Sequence, residues 1–302
     1  MSQSPTSQEN ISRRSMLKIA TVGAAALAAV PAMAQRSSRA ALIDQIEAFA
    51  PQGNIKQSVS KWCFGNIPYA EFIPICKKLG MVGIDLVNPS DWAMMLENDM
   101  IVTMGNVPGA GIGDGFNREQ NHERLIQAYE QWIPVAGENK VPNLICFSGN
   151  RRGISDEEGI EKCVLGLKKL MPLAEQHNVT LCLELLNSKV DHGDYQADRT
   201  PWAAEIVNQV GSERLKLLYD IYHMQIMEGD LIRTIGRYHN VIGHYHTAGN
   251  PGRRDLDEQQ EIFYPAVMDA ILATGYTGFV AHEFLPRNGI HSLRDAVVLC
   301  DR

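Results

Sequence analysis

Leu215-Lys216-Leu217-Leu218-Tyr219-Asp220 and Val241-Ile242-Gly243-His244-Tyr245-His246 are two short apolar runs, each ending in a polar side chain able to bind a metal. The interval between them is long enough for a helix headed by Asp230. Strand, helix, strand is the repeating unit of a parallel sheet. Outward from this pair the alternation continues in both directions. The other strand candidates are Lys56–Ser60, Val82–Leu86, Ile101–Met104, Asn143–Phe147, Thr180–Leu185 and Gly278–Glu283. Helix starts lie between them at Pro68, Pro89-Ser90-Asp91, Asn117-Arg118-Glu119, Thr200-Pro201, Tyr264-Pro265 and Ser292. Ser155 with Glu158 forms a capping box ahead of Ile160, Val164, Leu167 and Met171. Eight such units predict an α/β fold, a closed (β/α)₈ TIM barrel in a single domain over 53–302. An open doubly wound sheet would carry a Gly-rich phosphate loop after its first strand, and none follows Ser60. Gly109, Gly111 and Gly113 lack that spacing and are expected in an active-site loop.

The 302 residues are 45% hydrophobic and 21% charged. That excludes a collagen-like or disordered chain, and a domain of this size buries roughly three quarters of its unfolded surface. A net charge of −7 gives no support to nucleic-acid or anionic-membrane binding. The six cysteines contain no C-x-x-C pair, which excludes a zinc ribbon or thioredoxin-like motif.

Ser12-Arg13-Arg14-Ser15-Met16-Leu17-Lys18 precedes an apolar run from Ile19 to Val30, closed by Ala32-Met33-Ala34. Those twelve residues would span roughly 18 Å as a helix, short of the ~30 Å of a bilayer core. The pattern is similar to a twin-arginine export signal and predicts a leader over 1–34, a linker over 35–52 and a periplasmic or secreted protein. No membrane partner is expected once the leader is removed.

Strand ends five to eight carry Glu184, Asp220, His246 and Glu283, separated by 36, 26 and 37 residues, about one β/α unit each. In a barrel these ends face one mouth. Three carboxylates and an imidazole repel one another unless a cation sits among them. They predict one divalent metal, Mg²⁺ or Mn²⁺ first and Co²⁺ or Zn²⁺ next.

Tyr219-Asp220-Ile221-Tyr222-His223-Met224-Gln225-Ile226, and Ile242-Gly243-His244-Tyr245-His246-Thr247-Ala248 with Pro251-Gly252-Arg253, closely resemble hydroxypyruvate isomerases. These belong to a xylose-isomerase-like barrel superfamily that also holds ketose 3-epimerases and abasic-site endonucleases. The resemblance runs from about Ser58 to the C-terminus. It implies one metal bound by Glu184, Asp220, His246 and Glu283, with the two glutamates also moving protons. Hydroxypyruvate isomerases generally have glutamine at the position of His246, whereas the epimerases have histidine; the export leader is a second departure. The implied reaction takes hydroxypyruvate to tartronate semialdehyde through an enediolate. A metal stabilises that anion, one glutamate removes a proton and the other returns one.

Substrate contacts are expected from His223, His244, Arg253, Asn187 and Gln225, with Arg151-Arg152 a further anion site and Trp62 and Phe64 walling the mouth. The substrate is a small keto acid or sugar, and a homo-oligomer stays open. An exported ketose 3-epimerase or a 3-keto-glycoside lyase would use the same metal site. A phosphodiesterase would need a three-zinc cluster with more histidines, and a non-catalytic sugar binder would not need every ligand position filled.

Overall fold

The computed structural model describes residues 42–302, so the expected leader lies outside the described residues. All eight expected strands are present, several of them a residue or two shorter than predicted. They are β1 (Lys56–Ser60), β2 (Gly83–Asp85), β3 (Ile101–Val102), β4 (Asn143–Cys146), β5 (Thr180–Glu184), β6 (Leu215–Asp220), β7 (Ile242–Thr247) and β8 (Phe279–His282). All pairs are parallel, in the order β3-β2-β1-β8-β7-β6-β5-β4. The regular ladders leave a seam between β3 and β4. Gly105 closes it, bridging to Val87 on one side and Leu144 on the other. Its N–H donates to Asn143 O at 2.8 Å and its carbonyl accepts from Ile145 N–H at 3.1 Å. Only glycine fits here, because a Cβ would stand 2.7 Å from the Trp92 ring and 2.8 Å from Leu144.

The helices cover the outside of the sheet. They are α1 (Tyr69–Lys78), α2 (Trp92–Glu97), α3 (His122–Glu138), α4 (Asp156–Lys168), α5 (Met171–His177), α6 (Thr200–Val210), α7 (Ile221–Met227), α8 (Leu231–Tyr238), α9 (Tyr264–Ala273) and α10 (Gly289–Cys300). Ser155 caps α4 as expected, its hydroxyl accepting from Glu158 N–H at 3.1 Å. The helical run expected to continue to Met171 breaks after Lys168, and a second helix starts with Pro172 in its first turn. The last helix begins at Gly289, ahead of the expected Ser292, whose hydroxyl instead accepts from Asn288 N–H. The short α7, directly after β6, has no counterpart in the sequence reading. Residues from Ile43 onward form one compact unit. Part of the expected linker is seated on it: Phe49 N–H donates to Lys78 O, and Gln52 N–H to the Asp301 carboxylate.

The barrel interior divides by chemistry. On one side Met104, Ile145, Cys182 and Leu218 pack together, with Leu86 and Phe147 against them. Each such burial stabilises by about 1.5–3 kcal/mol. On the other side Ser58, Asp85, Thr103 and His244 are fully buried. A buried carboxylate is costly unless hydrogen-bonded, and Thr103 Oγ1 lies 2.6 Å from Asp85 Oδ1 and 2.9 Å from Ser58 Oγ. The six cysteines are unpaired. No helix among the described residues is long and apolar enough to cross a membrane.

Candidate active site

Glu184 ends β5, Asp220 ends β6, His246 lies one residue from the end of β7, and Glu283 follows β8. Parallel register brings these ends to one level. Asp220 pairs with His246, and Glu283 N–H still donates to Thr247 O at 2.9 Å. All four are buried, and their candidate ligand atoms lie within 4.8 Å of one another. The expected set is thus brought together.

Each residue has a separate anchor. Asp220 Oδ1 accepts from His223 N–H at 3.0 Å, capping α7, which leaves Oδ2 buried with no hydrogen-bond partner. The helix absent from the sequence reading is what turns the second oxygen inward. Glu283 accepts from the Trp62 indole N–H at 2.7 Å on Oε1 and from Arg253 at 2.6 Å on Oε2. Tyr195 hydroxyl donates to Glu184 O at 2.9 Å, tying down the end of β5. His246 Nδ1 faces inward, 2.8 Å from Glu283 Oε2, 3.5 Å from Glu184 Oε1 and 3.9 Å from Asp220 Oδ2.

Crowding like charges in a buried site perturbs their titration. Burial pushes Glu184 up to about 7, with Glu283 and Asp220 adding to the rise. Burial raises Asp220 to about 6 although Arg253 opposes it. For Glu283, burial is outweighed by Arg253, His246 and the Trp62 bond, so its carboxyl falls well below the usual range. Burial disfavours the charged form of His246, yet the carboxylates of Glu283, Asp85 and Glu184 around the ring prevail and hold it above its ordinary value. Three oxygen donors and one imidazole fit a divalent cation of the Mg²⁺, Mn²⁺, Co²⁺ or Zn²⁺ type. Asp220 Oδ2 and His246 Nδ1, both buried without hydrogen-bond partners, are the atoms such an ion would satisfy.

The other expected residues divide. His223 is buried, with Nδ1 2.6 Å from the Asn187 amide and an unpartnered Nε2 that faces Asp220 Oδ2 at 3.8 Å. Asn187 is committed to His223, to Asp191 at 2.7 Å and to the backbone of its own loop, so it positions its neighbours. Arg253 lies over the Trp62 ring at 5.3 Å and bonds Glu283, at the mouth as expected. His244 does share a face with His246, but it sits a layer deeper, with Nε2 3.1 Å from Asp85 Oδ1. Gln225 bonds Glu261 at 3.1 Å on a loop and touches none of the four converging side chains. Arg151 pairs with Asp156 and Asp198, and Arg152 with Asp114. Neither arginine is free for an anion. Trp62 is at the mouth, whereas Phe64 is core, stacked on Phe72.

Asp85 escaped the sequence reading. It ends β2 in an otherwise apolar run and meets His246 Nε2 at 2.9 Å. An acid closing a strand was the available signal, the same one that marked Glu184 and Asp220. His192, its ring tilted against His223 at 5.3 Å, lies in a loop with no sequence pattern to reveal it.

A family profile described as xylose isomerase-like TIM barrel matches residues 92–297. The hydroxypyruvate isomerase of Escherichia coli K12 is 26% identical over 238 residues, 74% of this chain and 90% of that protein. The 2-oxo-tetronate isomerase of Cupriavidus necator is 34% identical over 116 residues, 38% of this chain and 44% of that one. A human relative matches at 36% over 115 residues, so the chain spans 41% of its length. Among solved structures, a family 2 AP endonuclease from Brucella melitensis aligns at TM-score 0.71 and 22% identity, over 82% of this chain and 96% of that one. The 3-keto-D-glucoside 4-epimerase of E. coli aligns at 0.66 and 19%, over 82% and 98%. The IolI protein with a bound zinc atom aligns at 0.64 and 19%, over 82% and 95%. At these identities the structural likenesses establish the shared fold alone.

Proposed function

The chain belongs to the xylose isomerase-like TIM barrel family, and from that premise we propose a metal-dependent isomerase that interconverts hydroxypyruvate and tartronate semialdehyde. The observation that carries the reading is the convergence of Glu184, Asp220, His246 and Glu283 within 4.8 Å at the barrel mouth. These four would hold the cation, and a protein of the same fold is described with a bound zinc atom. When bound, the ion supplies Lewis-acid polarisation of the substrate carbonyl.

The protein side chains do the rest. Arg253 is placed to take the substrate carboxylate through its planar fork. His223 Nε2, buried and unpartnered, is placed to meet a substrate hydroxyl. Glu184 and Glu283 move the proton. One takes it from the hydroxymethyl carbon beside the ketone, and the other returns one to the former carbonyl carbon. The hydroxyl proton passes to the neighbouring oxygen, so the atoms balance with no external oxidant. Burial of both carboxylates keeps water from quenching the enediolate.

A second reading, a ketose 3-epimerase or 3-keto-glycoside lyase, has its own support. A cavity of about 310 Å³ lies among Asn88, Asn106, Ile145 and Phe147 at the ends of strands two to four. None of the four converging side chains lines it, so it offers a larger sugar room beyond the candidate metal site. Export by the twin-arginine route is part of the proposal and, with His246, favours this second reading.

Proton NMR in D₂O with Mg²⁺ and hydroxypyruvate tests the first reading. Tartronate semialdehyde should form, and neither Glu184→Gln nor Glu283→Gln should make it. Solvent exchange without product points to the larger sugar. Absence of both, with metal bound, overturns the hydroxypyruvate assignment.

A further inference from the structure

We propose that Asp85 is the positioning residue that decides which nitrogen of His246 is presented to the three carboxylates. The inference rests on the metal-site reading above. Asp85 ends β2 and His246 sits in β7, strands separated in the sheet by β1 and β8, so their contact crosses the barrel interior. Both residues are fully buried, and His246 Nε2 stands 2.9 Å from Asp85 Oδ2. The other oxygen of Asp85 takes the Thr103 hydroxyl at 2.6 Å and has His244 Nε2 3.1 Å away.

An ionised carboxylate only accepts hydrogen bonds, so the imidazole must carry a proton on Nε2 to satisfy Oδ2. A neutral ring with its proton there has a bare Nδ1. That atom is the one facing Glu184, Asp220 and Glu283. Glu283 at 2.8 Å pulls the other way, because a carboxylate beside Nδ1 favours a proton on Nδ1. Once the ring gives up a proton to become a ligand, Asp85 and Glu283 compete for the one that stays, and a cation can use His246 Nδ1 only if Asp85 keeps it. The edge-on His244 ring, 5.2 Å away, limits rotation that would exchange the two nitrogens. Metal-binding histidines are commonly held in this way by a carboxylate on the far nitrogen, and losing it costs 10–100-fold in metal affinity.

Long-range ¹H–¹⁵N correlation spectra of the Zn²⁺-loaded wild-type protein should show His246 protonated at Nε2. Mn²⁺ titration should show Asp85→Leu binding about 10–100-fold more weakly than wild type. Asp85→Asn, which keeps an oxygen for the Nε2 proton, should recover most of that loss. Thr103→Val removes the bond to the other oxygen and the contact with Ser58, leaves Oδ2 in place, and should leave the tautomer unchanged. A His246 protonated at Nδ1 in the Zn²⁺-loaded wild type overturns the proposal, even if Asp85→Leu does not fold. So does an Asp85→Leu affinity within about twofold of wild type, outside the range expected for a lost partner. A wild-type protein that binds neither ion overturns the metal-site reading itself, a different failure from equal binding by wild type and variant.

Discussion

Arg253 Nη2 lies 2.6 Å from Glu283 Oε2, so the guanidinium expected to hold substrate is bonded to one of the four converging side chains. It serves two partners, a resident carboxylate and an incoming one. Arg253→Met keeps the length and removes the charge. Losing a charge-assisted bond to substrate is worth about 1.5–3 kcal/mol, and KM for a keto acid should rise by at least about tenfold. Removing a cation that competes for Glu283 should at the same time tighten Mn²⁺ binding. Steady-state kinetics and titration calorimetry read the two effects separately. A variant with weaker metal binding and unchanged KM would refute the dual role.

Trp62 is 43% exposed, yet its indole N–H donates to Glu283 Oε1 at 2.7 Å. Its polar contact is therefore with the site, not the core. Trp62→Phe keeps an aromatic surface under Arg253 and deletes the donor. With a charged acceptor the bond is worth about 1.5–3 kcal/mol, so kcat/KM should fall by roughly 10–100-fold while the melting temperature stays nearly unchanged. A large drop in melting temperature would instead make Trp62 a structural residue.

Much of this site was legible because a parallel barrel turns sequence spacing into geometry. Glu184, Asp220, His246 and Glu283 each sit at a strand end, and strand ends share one mouth. Periodicity also put His244 and His246 on one face, but it carries no depth, so it could not show that His244 lies beneath the site against Asp85. Asp85 went unread because a single acid in a short strand looks solvated until a partner across the barrel is known. Gln225 follows the motif through β6, yet α7 carries it to a loop contact with Glu261. Helices shorter than two turns, such as α7, leave too little periodicity to detect.

Closure of the barrel depends on Gly105, which joins β3 and β4 where no regular ladder does. A methyl group there would press on Trp92 and Leu144 at 2.7 and 2.8 Å. Overpacking of this kind costs about 1–3 kcal/mol. For a protein of this size each kcal/mol lowers the melting temperature by about 2–4 °C. Gly105→Ala should therefore melt measurably lower while retaining activity at low temperature, since the four converging residues lie on other strands. Calorimetry checks it, and an unchanged melting temperature would mean that the seam is closed by other contacts.

Metal uptake should release protons. Without an ion, His246 is held protonated by its carboxylate neighbours, Glu184 is raised to about 7 and Asp220 to about 6. A cation needs the deprotonated form of each ligand, so affinity should climb as pH rises from about 6 to 8. The same shifts set the stability of the metal-free protein. A folded pKa above the unfolded value gives stability that is present at low pH and lost as pH rises through the folded value. His246, Glu184 and Asp220 share that sign, while Glu283, shifted downward, loses its contribution only in acid. The metal-free protein should therefore become less stable across this window, and the rise in melting temperature on adding Mn²⁺ should grow with pH. Calorimetric titrations in buffers of different ionisation enthalpy count the released protons, and thermal melts with and without Mn²⁺ read the gap. A pH-independent affinity with no proton release would mean that these side chains do not surrender protons to the metal, and the site would have to bind it in another way.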